Sequence, residues 1–215
     1  ADPFVVFKNK LYYFFFEEFE YNKNKGHISF LTINEDGDYS EVEKIIERDY
    51  HLSYPNIFCL NNKYYMIPES YDNKTIEIYE CLKFPNKWKF YKNIFENIFA
   101  TDSTLFYKDQ KWWLFTTITN EKDPYQNDLQ LFYSKNPLSE DWTAHPKNPI
   151  MSGKAGARSA GKIFENNGKI LRPAQDGTKR YGYGMIFYEI KILNENNYEE
   201  EISYIKSETK DVWEL

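Results

Sequence analysis

The sequence predicts an all-β fold, a β-propeller of four-stranded antiparallel blades, five-bladed with its last blade incomplete. Three observations predict it. First, one hairpin recurs four times: ADPFVVFKNKLYYFFFEE, SYPNIFCLNNKYYMIPES, ATDSTLFYKDQKWWLFTT and SAGKIFENNGKILRPAQD share one layout. Each sets a short apolar strand, a turn of Asn, Asp, Gly or Lys, and then a lysine leading into apolar or aromatic residues. β-branched and aromatic side chains of this kind suit a pleated, half-buried surface. Second, the lysine markers Lys10, Lys63, Lys111 and Lys169 lie 53, 48 and 58 residues apart. Multi-strand repeats of roughly 40–50 residues mark propeller blades. Third, an aromatic residue follows the turn before each fourth strand: Tyr39 in EDGDY, Trp88 in FPNKW, Trp142 in LSEDW and Tyr198 in NENNY. No long stretch carries apolar residues at i, i+3, i+4 and i+7, so helical repeats are excluded.

The strands follow in order. Blade one, about 1–48, is expected to hold strands at 4–7, 11–17, 27–33 and near 39–42. Blade two, about 49–97, holds 56–60, 63–68, 75–81 and 87–91. Blade three, about 98–150, holds 103–106, 111–117, 129–134 and a poor fourth strand near Thr143. Blade four, about 151–202, holds 161–164, 169–173, 183–190 and 198–202. EVEKIIERDY at 41–50 fits an outer strand and crossover better than a helical turn. Residues 203–215 are expected to start a further blade or to form a crossing segment. An open propeller leaves sheet faces uncovered, which favours a fifth blade; a four-bladed ring is the competing count.

Composition narrows the function classes. The 215 residues make one domain with a sizeable core, and the 19% aromatic content suits many short strands packed face to face. A net charge of −6 argues against nucleic acid or an anionic membrane as partner. No apolar run approaches the roughly 18–20 residues that span a bilayer. No leader is visible, and a sequence that opens inside an expected strand leaves room for one cut away. Cys59 and Cys81 fall on the first and third strands of one blade. Two strand spacings separate them by roughly 9–10 Å, too far for a disulfide. Two buried thiols point to a reducing compartment, the cytoplasm. His27, His51 and His145 share no ligand spacing with each other or with the cysteines, so no metal is expected. No Gly-x-Gly-x-x-Gly or phosphate-binding loop is present, and no cofactor is expected.

In an antiparallel meander the start of the first strand and the end of the second share one edge of the sheet. With the first strand innermost, those positions ring one mouth of a central channel. The first strands open with Asp2, with Tyr54 and Pro55, with Asp102, and with Arg158 and Ser159. The second strands close with Glu17 and Glu18, Glu69, Thr116 and Thr117, and Gln175 and Asp176. Strand alternation sends one of Glu17 and Glu18 to solvent. Several carboxylates facing arginines fit a glycosyl-processing site, which needs one carboxyl as acid and another as base or nucleophile. The bland alternative is that Asp and Glu at strand ends cap turns or bind backbone amides. Arg172, inside a strand beside Pro173, is either a ligand contact or half of a core ion pair. The loop MSGKAGARSAG, with Lys154, Gly156 and Arg158, holds a phosphate in one reading and merely joins two blades in the other. The pairs Tyr64-Tyr65 and Trp112-Trp113 each place one ring in the core.

The segments ADPF, FFFEE, MIPES, ATDSTLF, KWWLFTT, HPKNPI, ARSAGKIF and RPAQD together resemble a known family. They are similar to the N-terminal β-propeller domain of plant glucosamine inositolphosphorylceramide transferase and its bacterial relatives, over about residues 1–202. That domain is in turn similar to the five-bladed propellers of arabinanase, levansucrase and invertase-type glycoside hydrolases. The resemblance implies an attached transferase domain and a carbohydrate or nucleotide-sugar ligand. In the hydrolase propellers an Asp at the start of the first inner strand acts as base or nucleophile, and Asp2 matches that place. A second Asp opens the next blade there; here the position reads Tyr54-Pro55-Asn56. The acid of those enzymes has two candidates in this chain, Glu69 and Asp102.

The expected function is therefore that of a carbohydrate-active domain acting on a glycan or activated sugar in polysaccharide or glycolipid assembly. Asp2, Glu69 and Asp102 are the candidate catalytic carboxyls. Glu17, Tyr54, Arg158, Arg172, Gln175 and Asp176 are the candidate substrate contacts. The alternative is a sugar-binding or scaffold propeller serving a separate transferase domain.

Overall fold

The protein, here as a computed structural model, is described over residues 1–120 and 123–207. Four antiparallel sheets follow one another along the chain, and each runs in sequence order from its first strand to its last. This four-stranded meander is the blade of a β-propeller. Blade one holds β1 (Phe4–Lys8), β2 (Leu11–Glu20), β3 (Lys25–Asn34) and β4 (Glu43–Ile46). Blade two holds β5 (Ser53–Leu60), β6 (Lys63–Ser70), β7 (Thr75–Lys83) and β8 (Lys87–Glu96), with a 3-10 turn at Tyr71–Asn73. Blade three holds β9 (Ala100–Lys108), β10 (Lys111–Asn120), β11 (Asp123–Ser134) and the two-residue β12 (Thr143–Ala144). Its β11 also pairs with β13 (Met151–Ser152). In blade four, β14 (Ala155–Ser159) and β15 (Phe164–Asn166) share the first place, followed by β16 (Lys169–Asp176), β17 (Gly184–Leu193) and β18 (Tyr198–Ser207).

The four hairpins close through one turn chemistry. Asn9-Lys10, Asn61-Asn62, Asp109-Gln110 and Asn167-Gly168 all have positive φ at both positions, from 50° to 76°. That is the type I′ turn, whose twist matches the strands it joins and which favours Asn, Asp and Gly. The repeat marker shifts by one residue in blade one as a result. Lys10 lies inside its turn, and Leu11 holds the place of Lys63, Lys111 and Lys169.

Three strand expectations are corrected. The fourth strand of blade one is Glu43–Ile46, and Tyr39 makes only an isolated bridge to Ile33. The first strand of blade four is split, because the extra residues around Gly161 interrupt its pairing with β16. Residues 203–207, expected in a further blade, continue β18, and residues 208–215 lie outside the described residues. Four blades are present among the described residues.

The chain divides into two compact units, Ala1–Ser103 with Leu138–Glu140, and Thr104–Pro137 with Asp141–Leu215. The first packs Phe15, Ile28, Phe30, Leu52, Met66 and Tyr79 into one cluster, with Trp88 at its margin. Alternation along β1 puts Phe4 inside and leaves Val5 and Phe7 exposed on the opposite face. The second packs Trp113, Phe115, Leu129, Leu131, Ile190 and Tyr198. Of the four marker aromatics, Trp88 and Tyr198 pack against these cores, whereas Tyr39 is 77% exposed.

The cysteines are free and sit on β5 and β7, across Tyr64 of β6. Cys59 is exposed and Cys81 half-buried, so the expectation of two buried thiols fails for Cys59. No helix among the described residues is long and apolar enough to cross a membrane.

Candidate functional site

The first unit carries five of the predicted residues at one end of its hairpins. Counting from the first residue after each type I′ turn, the seventh position of the second strand is Glu17, Glu69, Thr117 and Gln175 in blades one to four. Each of the four, two carboxylates, a hydroxyl and an amide, thus stands at the same step of its own second strand.

The opposing first strands are bulged there. Ala1 and Glu17 exchange two backbone hydrogen bonds, of 2.7 and 3.0 Å, and the next pair is Phe4 with Phe15. Ser53 pairs with Glu69, and the next pair is Asn56 with Ile67. In both blades three steps on one strand face two on the other, the count of a β-bulge. The bulge is made by Asp2 (φ 51°) and Tyr54 (φ 44°), and Asp102 (φ 51°) repeats the conformation in blade three. Left-handed backbone is disfavoured for residues with a Cβ, least so for Asp and Asn. Asp at two of these three places is therefore locally sensible, and Tyr54 must be held by packing. Its ring meets Phe4 edge-on at 4.9 Å between centroids, and only 1% of the residue is exposed. Tyr54 thus packs against Phe4.

Glu69 and Asp102 come together. The backbone N–H of Asp102 donates to Glu69 Oε2 at 3.1 Å. Asp102 itself is 3% exposed. Asp2 is half-buried at the matching place in blade one. Glu17 Oε1 lies 3.3 Å from Nε2 of His51, a residue the sequence had offered only as a rejected metal ligand. The alternation expected at Glu17 and Glu18 holds: Glu18 is the more exposed of the two. Ser29 Oγ donates to Glu18 at 2.7 Å, and this bond, with the His27 ring at 3.0 Å, holds the carboxyl below its ordinary range.

In the second unit the predicted contacts separate. Arg172 has no exposed surface. Its Nε and Nη2 donate to the two oxygens of Glu200 at 2.8 and 2.6 Å, and Nη1 donates to Gly156 O at 2.9 Å. The guanidinium stacks 4.8 Å from the Tyr188 ring centre, and Tyr198 donates to Glu200 at 2.5 Å. This is the core ion pair, and the ligand-contact reading of Arg172 is withdrawn: a satisfied fork with no exposed surface has nothing to offer a ligand. Burial works against the charge, and Glu200 outweighs it, so the Arg172 pKa is raised.

Gly156 has a steric reason to lack a side chain. A Cβ there would lie 2.4 Å from the Tyr188 hydroxyl and 2.7 Å from Met151 Sδ. The loop joins two blades, with Lys154 O accepting from Gly177 N, and its Ser152, Gly153 and Lys154 are exposed. Gln175 Nε2 donates to Ser159 O at 2.9 Å. Asp176 accepts from the N–H and hydroxyl of Thr178, a local turn in keeping with the bland reading of that residue. Arg158 is half-buried in β14.

A hollow of about 290 Å³ between Lys8, Asn62, Tyr64, Glu80 and Phe84 lies by the turns of blades one and two, at the far end of the hairpins from Glu17 and Glu69. Among the described residues no group of three or more His, Cys, Asp or Glu side chains could hold a metal ion.

Comparison with known proteins gives this arrangement a family. The family described as glucosamine inositolphosphorylceramide transferase 1, N-terminal, matches residues 1–213. Glucosamine inositolphosphorylceramide transferase 1 of Oryza sativa subsp. japonica is 33% identical over 204 residues, which are 93% of this chain and 27% of that protein. The Arabidopsis thaliana protein of the same name is 31% identical, over 93% of this chain and 26% of its own length. The chain thus spans about a quarter of the length of these relatives. Among solved structures, the family 117 glycoside hydrolase Zg3597 of Zobellia galactanivorans superposes with a TM-score of 0.71 at 15% identity, covering 96% of this chain and 69% of that one. The α-L-arabinanase of Cellvibrio cellulosa gives 0.63 at 13% identity, over 93% and 76%. At such identities these two likenesses establish the fold alone. The matched residues extend over nearly the whole sequence, and the chain belongs to the family of glucosamine inositolphosphorylceramide transferase 1 N-terminal domains.

Proposed function

We propose that this chain is a carbohydrate-active propeller domain that takes a glycan or activated sugar in glycolipid or polysaccharide assembly, within a longer protein that carries a transferase domain. One observation carries the proposal: Glu17 and Glu69 stand at one level of adjacent blades, opposite left-handed bulges opened by Asp2 and Tyr54, and Glu69 reaches Asp102. Carboxylates grouped this way accept hydrogen bonds from vicinal hydroxyls and, in acid–base pairs, handle glycosidic oxygen. The relatives' names supply the candidates: glucosamine as sugar and inositolphosphorylceramide as acceptor. Asp2, Glu69 and Asp102 are the catalytic candidates, with Glu17, Arg158 and Gln175 as contacts. A second reading, a binding domain without turnover, is favoured by Tyr54, whose buried ring occupies the place of a second inner-strand carboxyl. Two free thiols support a cytoplasmic setting.

The test titrates the chain with glucosamine, a UDP-linked sugar and myo-inositol 1-phosphate by calorimetry, and follows product formation chromatographically. Under the enzyme reading, Glu69→Gln and Asp102→Asn each lower turnover at least 100-fold, the usual scale for losing an acid or base. Binding without turnover selects the second reading. A chain that binds none of the three probes sinks both.

A further inference from the structure

His51 lies in the crossover between β4 and β5, and both its ring nitrogens are engaged. The backbone N–H of Gly26 donates to Nδ1 at 2.9 Å. Nδ1 therefore carries a lone pair, and the single proton of a neutral imidazole sits on Nε2. Nε2 faces Glu17 Oε1 at 3.3 Å. A second backbone bond, from Leu52 N to Gly26 O at 3.1 Å, fixes the crossover to the start of β3 on the other side of the same residue.

Gly26 is held by space rather than by backbone conformation. A Cβ at that position would lie 2.7 Å from both Glu17 Oε1 and His51 Cε1, and 2.8 Å from Leu52 O. The missing side chain is what lets the carboxylate and the imidazole meet.

The equivalent positions of the other blades show what is particular about Glu17. Glu69 accepts from a backbone N–H of β9, Thr117 donates to the carbonyl of Ala157 at 2.7 Å, and Gln175 donates to the carbonyl of Ser159. Those three are tied to main chain. Glu17 meets a side chain, that of His51, and among the described residues its Oε2 takes no hydrogen bond.

We propose that His51 is a positioning residue for Glu17: as the Nε2–H tautomer it holds Oε1 and turns Oε2 toward a sugar hydroxyl. The inference rests on the reading of Glu17 as a ligand contact. Two measurements separate its failure from the failure of that reading. Long-range ¹H–¹⁵N correlation spectra of the imidazole are expected to show a protonated Nε2 and a bare Nδ1. The opposite tautomer overturns the proposal whatever the chain binds.

The second measurement is a calorimetric titration with glucosamine. His51→Ala is expected to weaken binding roughly tenfold, the loss of the imidazole contact 3.3 Å from Glu17 Oε1. His51→Gln, whose amide can donate to Glu17, recovers part of that affinity at a similar melting temperature. In a Glu17→Gln background, His51→Ala should change affinity less than about twofold, because a residue that acts through another has no effect once its partner is neutralised. A full tenfold effect in that background overturns the positioning role. A wild-type chain that fails to bind glucosamine overturns the choice of Glu17 as its contact, while the Nε2–H tautomer, if seen, still upholds the pairing.

Discussion

Arg172 shows how a single residue divides stability from function. Its charge is buried, forked onto Glu200 and stacked on Tyr188. Arg172→Ala strands the Glu200 carboxylate, which is itself 5% exposed. Breaking one side of a buried pair costs about 3–5 kcal/mol. In a domain of this size that lowers the melting temperature by on the order of 10 °C. The double variant Arg172→Ala/Glu200→Ala should lose less than the single one, since no orphan charge remains. Differential scanning calorimetry of the three proteins checks the order. The sequence left Arg172 open between ligand contact and ion pair, because the partner stands two strands away in β18, beyond the reach of spacing arguments. His51 was invisible for the same reason: its roles depend on Glu17 and Gly26, at separations of 34 and 25 residues. The cysteines give a second residue-scale prediction. Burial pushes the Cys81 thiol up to about 11, while Cys59 is exposed. At pH 8 a thiol reagent should label Cys59 quickly and Cys81 slowly, with two thiols per chain once unfolded. Equal rates would contradict the difference in exposure between the two thiols.

At the scale of the element, the hairpin was the most legible feature. Asn, Asp, Gly and Lys cluster where two successive residues need positive φ, and aromatic or β-branched runs flank them. The register error at Lys10 was one residue, because lysine stands inside one turn and just after the other three. The bulges were less legible: the left-handed turn at Tyr54 is imposed by ring packing on Phe4, a tertiary effect that overrides local preference. The first strand of blade four was misplaced for a related reason, since its extra residues can be accommodated in several ways. The turns themselves can be tested. Gln110 sits at φ 60°, where glycine carries no Cβ penalty. Gln110→Gly converts the turn to Asp-Gly, and a net gain of about 0.5 kcal/mol is expected after the entropy of the unfolded chain is subtracted. Asp109→Pro should do the reverse, since proline fixes φ near −65° and cannot form this turn. Urea denaturation distinguishes the two, with the midpoint rising in one and falling sharply in the other.

At the scale of the whole molecule, the blade repeat was legible from two sequence markers, whereas the number of blades was not. Four blades are described, and Val5, Phe7 and Tyr12 remain exposed on the face of blade one that turns from its core. Family membership was legible because the motifs run from one end of the chain to the other. The pH dependence of stability also belongs to this scale. On the acid side, Lys23 and Lys44 hydrogen-bond Glu20 and hold its carboxyl down to about 2, against 4.5 in the unfolded chain. Glu18 and Glu47 are shifted the same way, Glu18 chiefly by Ser29 and Glu47 chiefly by Lys23. Between those two limits the unfolded chain binds more protons, so stability falls as pH falls. The contribution is complete above 4.5 and is lost on the way down to about 2. On the alkaline side, burial and then the Glu77 hydrogen bond push Tyr50 up to about 12. From pH 10, the ordinary tyrosine value, toward 12 the folded chain holds the proton that the unfolded chain releases, so stability declines with rising pH. Melting temperature plotted against pH should therefore have a plateau with a limb on each side. Glu20→Gln is expected to lower the plateau and flatten the acid limb, so that its curve meets the wild-type curve near pH 2. Tyr50→Phe should flatten only the alkaline limb, at some loss on the plateau because Glu77 gives up one of its donors. If Glu20→Gln instead shifts the whole curve by a constant amount, the lysine cluster contributes nothing to the acid limb, and the ion pairs of blade one are ornaments of the surface.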